Sequence, residues 1–380
     1  MIIKNCKLFI EGEFREGNIE FGQTIEKIGL DLDESKEAVL DACGAYLIPG
    51  LIDVHTHGAM NHDASDGDLD GLKTMGSYYA ENGVTSWCPT TMTLKEHELK
   101  KAVEAIRDYE DLRSKDSLLS SKVVGIHMEG PFVSKEKCGA QNPDNLADPD
   151  VDFFNRLQEA SGNLIKLITL APELPGSMNF IKEVGHNVAI SIGHTMADYE
   201  TAMAAFDAGA NHATHLYNAM PALGHRAPGV IGAAFDSGAF VELITDGFHI
   251  DPSVIRMTAK TFGNRLVLIS DSLRCAGMPD GEYELGGQMI TMADGKAYMS
   301  GTTTIAGSSI SLMEGMRRAI SYGVPLEDAI TAATITPAKS IGVENKIGSI
   351  AIGKAADLVL LDKELNVVQV FIDGEPISHP

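Results

Sequence analysis

The 380-residue sequence has few basic residues and no long apolar run, and each deficit excludes a class of protein. Lys and Arg number 30 against 53 Asp and Glu, a formal net charge of −23 at pH 7. Nucleic acids and anionic membrane surfaces are bound through a basic field, so we expect neither partner. No apolar run reaches the roughly 20 residues of a membrane-spanning helix, and no secretory signal opens the sequence. We therefore expect a cytoplasmic protein.

Cysteine is also scarce. The chain has five cysteines without CxxC spacing. An odd number of scattered cysteines favours reduced thiols over a disulfide framework and gives no structural zinc site. The apolar fraction of 44% is ordinary for a globular protein, and the length predicts one large barrel-type domain or two domains.

The two ends of the chain resemble each other in pattern. Both carry short alternating apolar runs broken by glycine, which are typical of small antiparallel strands, and Asp373-Gly374 predicts a tight turn. We expect residues 1–48 and 346–380 to form one small β-sandwich domain around a catalytic domain of residues 49–345.

The middle of the chain alternates eight apolar β-rich runs with segments of helical spacing such as 98–113 and 199–210, which predicts a (β/α)₈ barrel of the TIM type. A glycine-punctuated segment after the eighth run predicts a β-hairpin insertion near 277–303, with turns at Asp280-Gly281 and Asp294-Gly295. The runs are GLIDVHTHG, GVTSWCPTTM, KVVGIHMEG, NLIKLITLAPE, NVAISIGHT, ANHATHLYN, AFVELITDGFHI and RLVLISDS.

Nearly every run ends in a polar or ionisable residue. The carboxyl ends of parallel barrel strands meet at one mouth, so these side chains are expected to converge there. For Thr90 or Glu173 a simple strand-to-loop transition is an adequate explanation, but not for the histidines. The residues are His55 and His57, Thr90 and Thr91, Glu129, Glu173, His194, His215, Asp246 with His249, and Asp271.

His55 and His57 are two residues apart on a strand and therefore share a face. Alone, this pair is as consistent with hydrogen-bonded structural histidines as with a metal site. Glu129, His194 and His215 add one carboxylate and two imidazoles, and the combined set suits zinc, iron or a similar transition metal.

Asp271 is the remaining carboxylate at a strand end. An ion lowers the pKa of water and a nearby carboxylate can take the proton, so we predict that Asp271 is the general base, with a capping or ligand-positioning role as the alternative. Arg226, in a loop after a metal ligand, is a candidate clamp for a phosphate or carboxylate. His127 and His212 are interpreted as structural.

Several motifs resemble a known family over essentially the whole chain. PGLIDVHTHG and IGSIAIGKAADLVLLD resemble markers of the amidohydrolase superfamily, and GIHMEGPF, THLYNAM and HRAPG together resemble its N-acetylglucosamine-6-phosphate deacetylases. The resemblance implies metal-dependent removal of acetate from N-acetyl-D-glucosamine 6-phosphate. The alternatives are an amidohydrolase for N-acetylgalactosamine 6-phosphate or another N-acyl or cyclic amide substrate, and a non-catalytic sugar-phosphate-binding protein.

The resemblance also implies roles for individual residues. Glu129, His194 and His215 match the principal metal ligands and Asp271 the catalytic aspartate. A homodimer is implied, with a second subunit completing the phosphate site. Substrate contacts are implied for Ala140, Gln141, Asn218, Ala219, Arg226, His249, Thr304, Ile305 and Ala306.

The chain departs from some family members at two places. It keeps both His55 and His57, so one or two divalent ions per subunit are expected, zinc or iron first, with cobalt or manganese as alternatives. Gln141 stands where some members have a histidine that polarises the acetyl carbonyl. Its amide can donate a hydrogen bond but carries no charge, so we expect the ion to supply more of that stabilisation.

Some relatives in the superfamily bridge two metals with a modified lysine at the end of the fourth strand. Here Lys166 is near the start of that strand, which argues against membership in that branch, and Glu129 is expected to bridge the metals instead.

Overall fold

The computed structural model describes residues 1–33, 35, 38–116 and 118–377. Strands and helices are numbered along the chain. The strands are β1 (Ile2–Ile10), β2 (Glu13–Phe21), β3 (Ile25–Gly29), β4 (Val39–Asp41), β5 (Tyr46–Pro49), β6 (Leu51–Thr56), β7 (Gly58–Ala59), β8 (His62–Asp63), β9 (Val84–Thr91), β10 (Lys122–Val123), β11 (Ile126–Glu129), β12 (Ile165–Leu170), β13 (Ala189–Ile192), β14 (His212–Ala213), β15 (Phe240–Ile244), β16 (Leu266–Ile269), β17 (Gly281–Leu285), β18 (Gln288–Ala293), β19 (Lys296–Met299), β20 (Leu358–Leu361), β21 (Val367–Ile372) and β22 (Glu375–Pro376). The helices are α1 (Leu69–Glu81), α2 (Glu96–Asp116), α3 (Val151–Ala160), α4 (Ser177–Val184), α5 (Tyr199–Ala208), α6 (Gly229–Ser237), α7 (Pro252–Phe262), α8 (Leu312–Ser321), α9 (Leu326–Ala333) and α10 (Ile335–Ser340).

The parallel strands β6 and β9–β16 form a barrel in chain order, with β10 and β11 as two pieces of its third strand. Each of the eight predicted runs contains its strand, so the predicted (β/α)₈ barrel is confirmed. The first and last strands close the circle where the Asp271 N–H donates to the His55 carbonyl at 2.9 Å. Below that bond, the buried Asp53 carboxylate accepts the Ser270 N–H at 3.3 Å.

The helices cover the outside of the barrel. The spacing in 98–113 and 199–210 predicted α2 and α5, and both are present. In α1, the buried Leu72, Met75 and Tyr79 are three and four residues apart and so share one face, as expected of a helix with one apolar stripe. That face packs on β9, inside the ring of helices. No helix in the described ranges is both long and apolar enough to cross a membrane.

Strands from both chain ends form one sheet in the order β22-β21-β20-β5-β1-β2-β3, with β4 also on β1. The sheet folds over on itself. Three strands lie between β2 and β21 in this order, yet the ring centroids of Phe21 in β2 and Phe371 in β21 are 5.4 Å apart. The predicted small β-sandwich is therefore built from one continuous sheet, with the Asp373-Gly374 turn between its last two strands.

The small domain and the barrel are joined tightly. Gly50 alone separates β5 of the small sheet from β6 of the barrel, and a Cβ atom there would collide with the Thr85 side chain. The Lys122 ammonium, on the barrel, lies 2.6 Å from Asp357 and 2.7 Å from Asp373, both in the small domain. A mostly buried ion pair thus fixes one domain against the other.

The insertion after the eighth barrel strand differs from the prediction. It is a three-stranded antiparallel sheet, β17–β19, not a single hairpin. The predicted turn at Asp294-Gly295 is present, but the first turn lies at Gly286-Gly287, with φ of 55° and 86°. Two adjacent positive φ values suit a two-residue hairpin turn, and glycine adopts them without strain. Asp280-Gly281 instead begins β17, and the Asp280 carboxylate accepts the Asp294 N–H at 2.8 Å.

Candidate metal centre and active site

Glu129, His194 and His215 meet at the mouth of the barrel. Glu129 ends β11, and the two histidines follow β13 and β14. The Glu129 Oε1 atom lies 3.2 Å from His194 Nε2 and 3.1 Å from His215 Nε2, and the two Nε2 atoms are 3.0 Å apart. One carboxylate oxygen and two imidazole nitrogens thus converge within the reach of one ion, as the positions of these residues in the sequence predicted.

A second group consists of His55, His57 and Asp271. The Asp271 Oδ1 atom lies 3.6 Å from His55 Nε2 and 3.4 Å from His57 Nε2. Glu129 stands between the two groups, because its Oε1 is 3.4 Å from His55 Nε2 and its Oε2 is 3.1 Å from His57 Nε2. Its two oxygens therefore face both groups.

The imidazoles are oriented to bind an ion through Nε2. In three of them, Nδ1 lies against an oxygen that can only accept, so Nδ1 carries a proton and Nε2 is the nitrogen left to bind an ion. The fully buried His55 Nε2 has no hydrogen-bond partner, and a buried polar atom of this kind calls for one. These donors fit a divalent transition metal. The acceptors are the Glu242 carboxylate for His55 at 2.8 Å, the Thr90 carbonyl for His57 at 3.2 Å and the Lys137 carbonyl for His194 at 2.8 Å.

Without an ion, the carboxylates favour protonated histidines. Burial disfavours charge on His57, but the hydrogen bonds and charges of Asp271 and Glu129 outweigh burial and raise its pKa to about 10. The pKa of His55 is likewise raised well above its ordinary value, where Glu129 and Glu242 outweigh burial. An ion must therefore displace protons from this site when it binds.

Three residues of the site have backbones in the left-handed region. The φ angles are 47° for His194, 27° for His215 and 48° for Asp271. Such angles are uncommon for residues other than glycine and persist where the surroundings hold them. The surroundings do so here, since the His215 N–H donates to Glu242 at 3.1 Å and the Asp271 N–H to the His55 carbonyl.

A cavity of about 290 Å³ opens above these groups. Eight of the nine residues proposed as substrate contacts line it, and the exception is Arg226, which lies at the exposed tip of a turn closed by Gly224 and Ala227. The sequence did not single out Lys137, which also lines the cavity. The eight are Ala140, Gln141, Asn218, Ala219, His249, Thr304, Ile305 and Ala306.

Gln141 lies differently from the expected carbonyl donor. Its amide nitrogen donates to Glu129 Oε2 at 2.6 Å, and its amide oxygen accepts the Thr93 N–H at 2.7 Å. The reversed amide would place an oxygen against the carboxylate and an NH₂ against an N–H donor, so this orientation is the one that satisfies both partners. Gln141 therefore holds the bridging carboxylate in place.

His249 fastens the loop of the insertion over the cavity. Its Nδ1 lies 2.7 Å from Asp246 Oδ2, and its Nε2 lies 2.8 Å from the Ala306 carbonyl. Burial would lower the pKa of His249, but the adjacent Asp246 carboxylate outweighs burial and raises it. Both ring nitrogens can then donate, which ties the 304–306 loop to the seventh barrel strand.

The remaining buried histidines face away from the mouth. His127 contacts the Val54 carbonyl at 3.2 Å and Thr169 Oγ1 at 2.8 Å, and burial lowers its pKa to about 3. It is a neutral histidine of the barrel interior, as interpreted from the sequence. The His212 Nε2 is 3.6 Å from Glu242 Oε1, in the same interior.

Sequence reasoning missed Glu242, which lies within β15 and is fully buried below the metal groups. Its signal in the sequence is a lone acidic residue in the apolar run FVELI. Lys166 is the second residue of β12, at the end of that strand away from the mouth, where the sequence predicted it.

Comparison with known proteins places these features among hydrolases. The amidohydrolase family matches residues 46–377. The N-acetylglucosamine-6-phosphate deacetylase of Bacillus subtilis is 37% identical over 87% of this chain and 84% of its own length. The N-acetylgalactosamine-6-phosphate deacetylase of Escherichia coli is 34% identical over 90% of each chain. A mutant N-acetyl-D-glucosamine-6-phosphate deacetylase from Mycobacterium smegmatis, solved in complex with N-acetyl-D-glucosamine 6-phosphate, superposes with a TM-score of 0.91 at 31% identity, covering 100% of this chain and 99% of that one.

Proposed function

The chain belongs to the amidohydrolase family, and we propose that it hydrolyses N-acetyl-D-glucosamine 6-phosphate to acetate and D-glucosamine 6-phosphate. The observation that carries the proposal is the position of Asp271. Its carboxylate belongs to the group with His55 and His57 and also lines the cavity in which a substrate would bind. A proton acceptor at that place suits hydrolysis of an amide by water.

The ligands are assigned from the two groups at the mouth. Glu129, His194 and His215 would hold the principal ion, and His55 and His57, together with Asp271, would hold a second one, so that one or two ions bind per subunit. Zinc and iron are the first candidates for nitrogen and oxygen ligands of this kind, with cobalt and manganese as alternatives. A bound ion would act as a Lewis acid toward the acetyl carbonyl and lower the pKa of water.

Asp271 moves the proton. Burial would raise the pKa of its carboxyl group, but the charges of His55 and His57 outweigh burial and hold the pKa below its ordinary value. In the metal-loaded enzyme, the positive charge of a bound cation would replace that of the histidine protons and keep the carboxylate ionised, so that it can take a proton from the attacking water. It then returns the proton to the sugar nitrogen, since an amide nitrogen must be protonated before it leaves as an amine.

The cavity residues position the sugar, and the phosphate requires a cation. Lys137 is available within the cavity, whereas Arg226 projects from an exposed turn of its own subunit. We propose a cytoplasmic homodimer in which Arg226 completes the phosphate site of the second subunit. Its guanidinium supplies paired donors that match a phosphate.

A second candidate substrate is N-acetyl-D-galactosamine 6-phosphate. It is favoured by the 34% identity to the deacetylase named for that sugar phosphate. The two sugars are epimers at one carbon and have the same reacting amide, so the proposed chemistry is common to both.

The test is acetate release by the metal-loaded protein from both sugar phosphates and from unphosphorylated N-acetylglucosamine. We expect the glucosamine derivative to be the best substrate. Asp271→Asn should keep the ion at Glu129, His194 and His215 and lose at least about 10²-fold in kcat, the contribution of a general acid–base group. Near-normal turnover by this variant, or no acetate release by the wild type, would contradict the proposal.

A further inference from the structure

Glu242 is a buried carboxylate whose ion-pair partners in the described chain are histidines, His55 and His212. It lies inside the barrel with no exposed surface. Burying a carboxylate is costly unless strong partners compensate, and neither Lys nor Arg does so among the described residues. A neutral side chain would fill this position with a smaller free-energy cost of burial, so the charge of Glu242 calls for an explanation.

One oxygen of Glu242 contacts a residue from each of the two candidate metal groups. Oε2 lies 2.8 Å from His55 Nδ1 and accepts the His215 backbone N–H at 3.1 Å. His55 belongs to the group with Asp271, and His215 to the group with Glu129. Glu242 therefore contacts one ligand of each group from below. It belongs to neither group, but its carboxylate forms a third close cluster with His55 and His127, deeper in the barrel.

The contact with His55 differs from those of the other oriented ligands. The Nδ1 atoms of His57 and His194 lie against the backbone carbonyls of Thr90 and Lys137, which are neutral. A neutral acceptor is thus enough to orient an imidazole in this site. The carboxylate at His55 adds negative charge, which makes the imidazole a stronger ligand and offsets the charge of a bound cation.

A count of charges shows where that addition matters. Two divalent ions bring four positive charges, and the carboxylates among their ligands, Glu129 and Asp271, bring two negative ones. With one ion these charges balance, and with two they do not. A further negative charge is supplied by the Glu242 carboxylate, which contacts the ligand His55.

We infer that Glu242 is the positioning residue that allows a second cation to bind at His55, His57 and Asp271. It acts through the His55 imidazole. The ion at Glu129, His194 and His215 does not need the charge of Glu242, because the contact on that side is a hydrogen bond from the His215 backbone N–H, which a neutral amide oxygen can also accept. The inference rests on the proposed metal sites of the enzyme, but its test does not use the deacetylase reaction.

The test counts ions in Glu242→Gln, a variant of the same size that can still accept a hydrogen bond from His55 but has no charge. The protein is freed of metal with a chelator and titrated with Zn²⁺ in a calorimeter, and Co²⁺ is added in parallel to follow the visible absorption of each bound ion. Thr169→Val is the matched control, because Thr169 is buried in the same interior and contacts His127, which belongs to neither of the two groups at the mouth.

We expect two ions in the wild type and in Thr169→Val. In Glu242→Gln the first ion should bind as in the wild type, and the second about 10- to 100-fold more weakly, the usual effect of losing a residue that supports a metal ligand. Unchanged binding of the second ion, loss of both ions, or a wild type that binds only one would each overturn the inference. A protein that binds two ions but releases no acetate would refute the proposed function and leave this inference standing.

If Glu242→Gln does not fold, as judged by circular dichroism, Glu242→Asp serves in its place. This variant keeps the charge but moves it away from His55. The second ion should then bind more weakly with the first unchanged, and wild-type binding of both ions would overturn the inference.

Discussion

Replacing Gln141 by leucine tests whether this residue serves the metal ligands or the substrate. The change removes two buried hydrogen bonds, the 2.6 Å bond to Glu129 and the 2.7 Å bond from the Thr93 N–H. The Thr93 N–H would be left without an acceptor, which costs about 1–3 kcal/mol of stability. Urea unfolding of the metal-free protein measures that loss.

The kinetic effect separates the two roles. If Gln141 only holds Glu129, Gln141→Leu should bind metal about 10- to 100-fold more weakly, and saturating metal should restore kcat. If Gln141 instead donates to the acetyl oxygen, kcat at saturating metal should fall about 10²- to 10³-fold, as for a lost oxyanion donor. Acetate release measured against free metal concentration distinguishes these outcomes.

We expect rescue by metal. A variant with unchanged metal affinity and a low kcat that no metal concentration restores would refute the reasoning. Asn145→Ala is the control, since Asn145 donates to the Thr93 carbonyl at 3.3 Å and does not contact Glu129. It should leave both metal affinity and kcat close to wild type.

Three further predictions follow from the site. His55→Ala combined with His57→Ala should remove one metal equivalent and keep the ion at Glu129, as measured by elemental analysis; loss of both would show that the two groups are not separable. Arg226→Ala should strongly raise the KM for the phosphorylated sugar but barely affect the unphosphorylated one, because the guanidinium is assigned to the phosphate; equal effects would contradict that assignment. Since the pKa of His57 is raised to about 10 in the ion-free protein, metal binding at pH 7 should release protons and weaken as the pH falls below 10. Calorimetry in buffers of different ionisation enthalpy counts these protons, and binding without release would argue against protonated histidines.

The strand-end residues could be predicted because their positions follow from simple geometry. A parallel barrel brings strand ends together whatever the loops do, so His55, Glu129, His194, His215 and Asp271 could be grouped without knowing any distance. Each apolar run could likewise be assigned to a barrel strand from its apolar pattern and its position in the chain. Both can be read from the sequence without knowing the position of any atom.

Other features depend on contacts that no local pattern records. Glu242 matters because the register of β14 and β15 places it below both His55 and His215. Gln141 lies in a loop whose path decides whether its amide faces Glu129 or the substrate. The first turn of the insertion was misplaced because an Asp-Gly and a Gly-Gly pair both suit a tight turn, and only the strand pairing selects Gly286-Gly287.

The small sheet has a consequence for synthesis of the chain. Strand β5 pairs on one side with β1, made just before it, and on the other with β20, where Leu47 lies opposite Leu360 near the far end of the chain. While the ribosome produces the barrel, that edge of β5 has no partner, and an unpaired strand edge invites association with other chains. The growing polypeptide must keep this edge protected until β20 has been made, so emergence of β20 from the ribosome sets the earliest moment at which the sheet can close.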